Sequence, residues 1–144
     1  MSTCKLCSLL AAPNLGTQLP NLVLETATAV VVLNRRPVAP GHVTLMLKRH
    51  HDRTSDMRDS DWTGIGSLTA RIAAFLEQRY QPSRVVFFGD GKKSAHVHLH
   101  LVPEPATGLS LGDAVADLNQ AVRPPSLSGA DLATLLPDLK RALA

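Results

Sequence analysis

The chain has 144 residues, 44% of them apolar and 19% charged, which fits one globular domain with a core of its own. No apolar run approaches the roughly 20 residues of a membrane-spanning helix, and the 15 basic residues are scattered with no run of five, which argues against nucleic acid as a partner. Residues 1–93 carry 12 basic and 7 acidic side chains, residues 94–144 carry 3 and 5, so the net charge of +3 is concentrated in the first part, as suits an anionic ligand such as a phosphate.

The first residues lack the basic region and apolar stretch of a signal peptide, so the cytoplasm is the expected compartment. Cys4-Lys5-Leu6-Cys7 holds the only two cysteines. A redox pair would sit near a β-α-β pattern, which this stretch lacks, and a structural disulfide is disfavoured in the cytosol. Half of a zinc site is the third reading, since two intervening residues let both sulfurs reach one tetrahedral ion. Two thiolates do not close such a site, and the chain must return nitrogen ligands from elsewhere.

Residues 13–21 hold two prolines, two asparagines and a glycine and read as loop. Leu22 to Glu25 is a short strand candidate, and Ala29 to Leu33 is a β-branched run that predicts a buried strand. Turns are expected at Asn34-Arg35-Arg36-Pro37 and at Pro40-Gly41, with a third strand from Val43 to Lys48. The charged residues of 49–61 predict a solvated loop. A helix follows, capped by Ser60 or Asp59 and ending near Tyr80 before Pro82. Its apolar face is Trp62, Ile65, Leu68, Ile72, Phe75 and Leu76, at helical spacing. Arg84 to Phe88 is a further strand, Gly89-Asp90-Gly91 a tight turn, and Ala95 to Val102 the strand paired antiparallel to it. Pro103 and Pro105 are expected to end that strand. Leu111 to Val122 predicts a short helix. Ser128 to Leu143 predicts a terminal one, with Ser128 as cap and Pro137 as a kink or boundary.

The strand from Ala95 contains His96-Val97-His98-Leu99-His100-Leu101-Val102. Strand side chains alternate faces, so the three imidazoles share one face and Val97, Leu99 and Leu101 the other. Each imidazole has two ring nitrogens to satisfy, and three together are costly to bury without partners. The pattern points to a metal site, a catalytic site, or both.

This histidine–apolar alternation resembles the signature of the histidine triad (HIT) superfamily of nucleotide hydrolases and transferases. Val32-Leu33-Asn34-Arg35-Arg36-Pro37-Val38-Ala39-Pro40-Gly41-His42-Val43 resembles that family's nucleoside-binding stretch, and the resemblance covers about residues 4–103. It implies a single α+β domain over 1–144, with an antiparallel sheet of about five strands, one long helix and smaller helices, and 104–144 as a C-terminal extension. By the same resemblance Asn34 contacts the ribose and His42 lies near the site without an assigned role. His98 attacks the α-phosphorus of a nucleoside 5′-phosphoramidate or dinucleoside polyphosphate, and His100 donates to a phosphate oxygen. The family usually carries a Gln or Ser shortly before the triad. Here Lys92 and Ser94 stand in that stretch and are assigned to the substrate phosphates. The resemblance also implies structural zinc on Cys4, Cys7, His50 and His96, with His51 the rival of His50, and a homodimer with a sheet continuous across protomers. A nucleotidyltransferase using the same covalent intermediate, or a nucleotide-binding module with little turnover, are the alternative readings.

Overall fold

The computed structural model describes residues 4–89, 95–106 and 127–144. Five strands, β1 (Leu22–Glu25), β2 (Ala29–Leu33), β3 (Val43–Leu47), β4 (Arg84–Gly89) and β5 (His98–Glu104), form one sheet of order β1-β2-β3-β5-β4. Every neighbouring pair is antiparallel, so the fold is the α+β arrangement expected. All five residues of β2 and of β3 are buried, because both faces of these central strands are covered. On one face Val31, Leu33, Leu45, Leu47, Leu99 and Leu101 pack against Ile65, Ile72 and Leu76 of α3 (Asp59–Tyr80) and Leu135, Leu139 and Leu143 of α4 (Gly129–Leu143). Each large aliphatic side chain buried this way contributes about 2 kcal/mol. On the opposite face α1 (Lys5–Leu10) and α2 (Leu15–Gln18) lay Leu6, Leu9, Leu15 and Leu19 over Val30, Val32 and Met46. No helix among the described residues is long and apolar enough to cross a membrane.

Several expectations change. The stretch 13–21 is not all loop, since Leu15–Gln18 makes a helical turn whose Leu15 is buried. The triad strand begins at His98, not Ala95, and runs through Pro103 to Glu104. Pairing with β3 stops at Leu101, so β5 has an open side at Pro103, where the missing N–H costs no ladder bond. Neither Ser60 nor Asp59 caps α3. Its first turn starts after Arg58, whose N–H is accepted by Asp61 Oδ2 at 3.1 Å. Trp62 departs from the buried stripe and is 45% exposed. In the charged stretch His51, Met57 and Asp61 are buried. Ser128 does cap α4, accepting the Asp131 N–H at 3.0 Å, and Pro137 lies inside that helix without ending it. The turn beyond Gly89 and the helix expected over 111–122 lie outside the described residues.

Candidate functional site

Register places Thr44 opposite His100 and Met46 opposite His98, so the two histidines stand on the same sheet face as the β3 residues beside them. Their rings lie 5.1 Å apart and nearly perpendicular. Phe88 of β4 stacks on His100 from the other side at 5.1 Å. Hydrogen bonds fix which nitrogen of each ring carries its proton. The backbone N–H of Val38 can only donate, and it reaches His42 Nδ1 at 3.3 Å. His42 therefore holds its proton on Nε2 and donates it to His100 Nδ1 at 2.9 Å. His100 accepts there, with the Thr44 hydroxyl 3.3 Å away, and carries its own proton on Nε2. His98 is set the opposite way. Its Nδ1–H donates to the backbone carbonyl of His96 at 2.7 Å, which leaves the Nε2 lone pair unprotonated. Adjacent histidines thus present an electron pair and a proton.

His42 is the residue the sequence placed nearby without a role. It is 2% exposed, and burial followed by the neighbouring His100 lowers its pKa from 6.5 to about 3. It stays neutral at physiological pH and holds its tautomer. The Pro40-Gly41 turn delivers it. Gly41 has φ +84°, and a Cβ there would stand 2.5 Å from the Tyr80 ring, so only glycine fits.

His96 lies just before β5, with its ring among Cys4, Cys7 and His50 and not alongside the other two histidines. Its Nδ1 is 3.5 Å from Cys4 Sγ, 3.4 Å from Cys7 Sγ and 3.3 Å from His50 Nδ1, and His50 Nδ1 is 3.2 Å from Cys7 Sγ. A tetrahedral zinc shell has edges of about 3.6 Å between sulfur and nitrogen and about 3.4 Å between nitrogens, from Zn–S of about 2.3 Å and Zn–N of about 2.0–2.1 Å. These four separations lie near the edges of such a shell and all four ligand atoms lie within 4.8 Å of one another, so the group could hold a metal ion. Both imidazoles are oriented for it. His96 donates Nε2–H to the Leu47 carbonyl at 2.6 Å and His50 donates Nε2–H to Asp52 Oδ1 at 2.9 Å, so each turns a bare Nδ1 inward. Burial opposes ionisation of Cys4, but hydrogen bonds from the Cys7 backbone and side chain outweigh it and lower its pKa from 9.0 to about 6, toward the ligating thiolate. His51, the rival of His50, points elsewhere. Its Nε2 meets Asp61 Oδ2 at 3.0 Å with both groups buried, and its carbonyl accepts the Val97 N–H at 2.9 Å. The Arg58 N–H and then His51 hold the Asp61 carboxyl below its ordinary range.

Beside the histidines the sheet face opens into a cleft of about 640 Å³. Val32 and Met46 form its floor, Leu9 and Leu19 one apolar side, and Asn34 and Thr44 its polar edge. Asn34 donates Nδ2–H to Thr44 Oγ1 at 2.8 Å and accepts the Arg36 N–H at 2.8 Å, which links the cleft through Thr44 to His100. Of the residues expected at the site, the structure brings Asn34 to the cleft beside His98 and His100, and gathers Cys4, Cys7, His50 and His96 into a separate group. Lys92 and Ser94 lie outside the described residues. The sequence reading missed Thr44, Asp52 and the His51–Asp61 pair. Thr44 could have been found from strand pairing opposite His100. The two acids carried no local signal among the other charges of 49–61.

A model of the HIT domain matches residues 17–107. Over 87 residues the chain is 29% identical to a bis(5′-adenosyl)-triphosphatase of Dictyostelium discoideum, covering 57% of this chain and 58% of that protein. It is 25% identical over 96 residues to an asymmetrical bis(5′-nucleosyl)-tetraphosphatase of Schizosaccharomyces pombe, covering 63% of this chain and 53% of that protein. The matched stretch spans less than two thirds of either relative's length. Among solved structures, a Zn-bound histidine triad family protein of Mycobacterium smegmatis superposes with a TM-score of 0.66 at 21% identity, covering 96% of this chain and 94% of that one. A hypothetical histidine triad nucleotide-binding protein of Sulfolobus tokodaii gives 0.69 at 14%, covering 97% and 91%. At these identities the structural likeness concerns the fold.

Proposed function

The chain belongs to the HIT domain family, and on that premise we propose that it is a nucleotidyl hydrolase acting at the α-phosphate of nucleoside 5′-phosphoramidates or dinucleoside polyphosphates. The observation that carries this reading is the opposed tautomers of His98 and His100. The lone pair on His98 Nε2 attacks the α-phosphorus, forming an N–P bond as the bond to the leaving group breaks. The leaving group departs with that electron pair and takes up a proton. His100 Nε2–H donates to a non-bridging phosphate oxygen as negative charge grows on it. Such a preset donor is worth about 2.7–4 kcal/mol where its loss has been measured in other enzymes. Water then attacks phosphorus, the N–P bond breaks, and His98 is returned neutral with a nucleoside monophosphate released. Asn34 binds the ribose, and the apolar floor of Val32 and Met46 receives the base. Lys92, where the chain departs from the family's Gln or Ser, and Ser94, which stands in for that residue, are assigned to the phosphates.

Zinc is the ion proposed for Cys4, Cys7, His50 and His96. When bound it supplies a cross-link and no activated water, since four protein ligands fill a tetrahedral shell. The group ties α1 to the residue whose carbonyl orients His98. A homodimer through the open edge of β4 completes the reading. Phe87 stands 62% exposed on that strand, which among the described residues pairs only with β5. The activity is tested by incubating the protein with adenosine 5′-phosphoramidate and with a diadenosine polyphosphate and following AMP release. Wild type should release AMP and His98→Ala should not. Equal release by both, or none from wild type, would overturn the reading.

A further inference from the structure

The N–H of Leu127 donates to the Arg35 carbonyl at 2.9 Å. That bond joins the C-terminal segment to the loop next to Asn34. One turn into α4, Leu132 begins the apolar stripe that continues through the buried Leu135, Leu136, Leu139 and Leu143. Those four pack in the core with α3, and Arg79 pairs with Asp138 at 2.6 Å, so α4 is held as a fixed element of the domain. Leu127 and Leu132 are only half-buried: they pack against the core on the α3 side of the sheet and also line the cleft that reaches Asn34, Thr44, Val32 and Met46 on the other face.

We propose that this segment is part of the substrate site, with Leu127 and Leu132 forming an apolar wall against which the nucleoside of the substrate packs. The inference rests on the cleft being the nucleotide site, and it gives the C-terminal extension a role in choosing the substrate. Three features of the cleft support a nucleobase as occupant. The floor of Val32 and Met46 is apolar. The edge formed by Asn34 and Thr44 is polar and connects to His100. The volume of about 640 Å³ lies within the range of small-ligand sites. A base held between aliphatic surfaces gains affinity from the area it buries, so the wall favours purines over the smaller pyrimidines. His98 and His100 are not among the residues lining the cleft, so the wall acts on binding, not on the chemical step.

The test uses Leu132→Ala and Leu127→Ala in the full chain, with nucleoside 5′-phosphoramidates of adenine and cytosine as substrates. Removing the outer carbons of one half-buried leucine should raise KM for the adenine substrate about fivefold and leave kcat within about twofold. The preference for adenine over cytosine should shrink by a similar factor. AMP binding to each variant, measured by calorimetry, should weaken in parallel, while the melting temperature shows that the helix stays docked. Variants that fold and keep wild-type KM and wild-type adenine preference would overturn the wall and leave the hydrolase reading standing. A loss of kcat at constant KM would also overturn it. Wild type that neither binds nor cleaves nucleotide would overturn both.

Discussion

The neutral, buried His42 makes the stability of the domain depend on pH in a calculable way. Its pKa is about 3 in the fold, against 6.5 for the ordinary imidazole. The folded state therefore refuses a proton that the unfolded chain accepts, and the effect on stability has a definite sign. The stabilisation is fully present above the unfolded value near 6.5 and is lost as pH falls from there toward 3. Integrating the proton uptake between about pH 7 and about pH 5 gives a loss of about 2 kcal/mol from this one group. For a domain of this size that corresponds to about 6 °C in melting temperature. The comparison that isolates it is His42→Gln. A glutamine amide can still donate to His100 Nδ1, but it does not titrate. Urea unfolding of wild type and variant at several pH values should give curves that converge by about 2 kcal/mol as pH drops to about 5. A difference between the two proteins that stays constant with pH would refute the reasoning.

His42→Phe removes the donor that sets the His100 tautomer, and kcat should fall by about 10- to 100-fold with KM little changed, read from steady-state AMP release. Cys7→Ser should reduce zinc from about one ion per chain to a small residue by elemental analysis, and lower the melting temperature. Asp52→Asn leaves all four ligand atoms in place but weakens the partner of His50 Nε2–H. Zinc affinity should drop by about 10-fold or more in a chelator competition, and an unchanged affinity would remove Asp52 from the account. Phe87→Asp should shift the sedimentation coefficient from dimer to monomer, while a monomeric wild type would dismiss the β4 edge as the interface.

The bounds of β1 and β2 could be read from the sequence, because short apolar runs between turn residues have few other uses. The alternation of histidine with Val97, Leu99 and Leu101 placed the apolar set on the core face. What local pattern could not show was how partners distant in the chain divide the three histidines. His96 leaves the ladder for Cys4, Cys7 and His50 because the hydrogen bond to Leu47 and the turn before β5 point its ring there. Between His50 and His51 spacing could not choose, since adjacent residues differ only in direction. The buried Asp61, ten residues on, claims His51. Pro103 misled for a related reason, as the rule against proline applies to strands paired on both sides and β5 is paired on one side there. Leu127 and Leu132 line the same cleft as Val32 and Met46, some ninety positions away, a separation that no local pattern crosses.

On the proposed mechanism His98 becomes covalently bonded to phosphorus while His96, His42 and His100 hold it and its substrate in place. Intact-protein mass spectrometry after brief mixing with adenosine 5′-phosphoramidate, quenched before turnover completes, reads this directly. A transient adduct of one adenylyl group per chain is expected, localised to His98 and absent from His98→Ala. An adduct on another residue, or AMP release with no adduct at any mixing time and unchanged in His98→Ala, would contradict it.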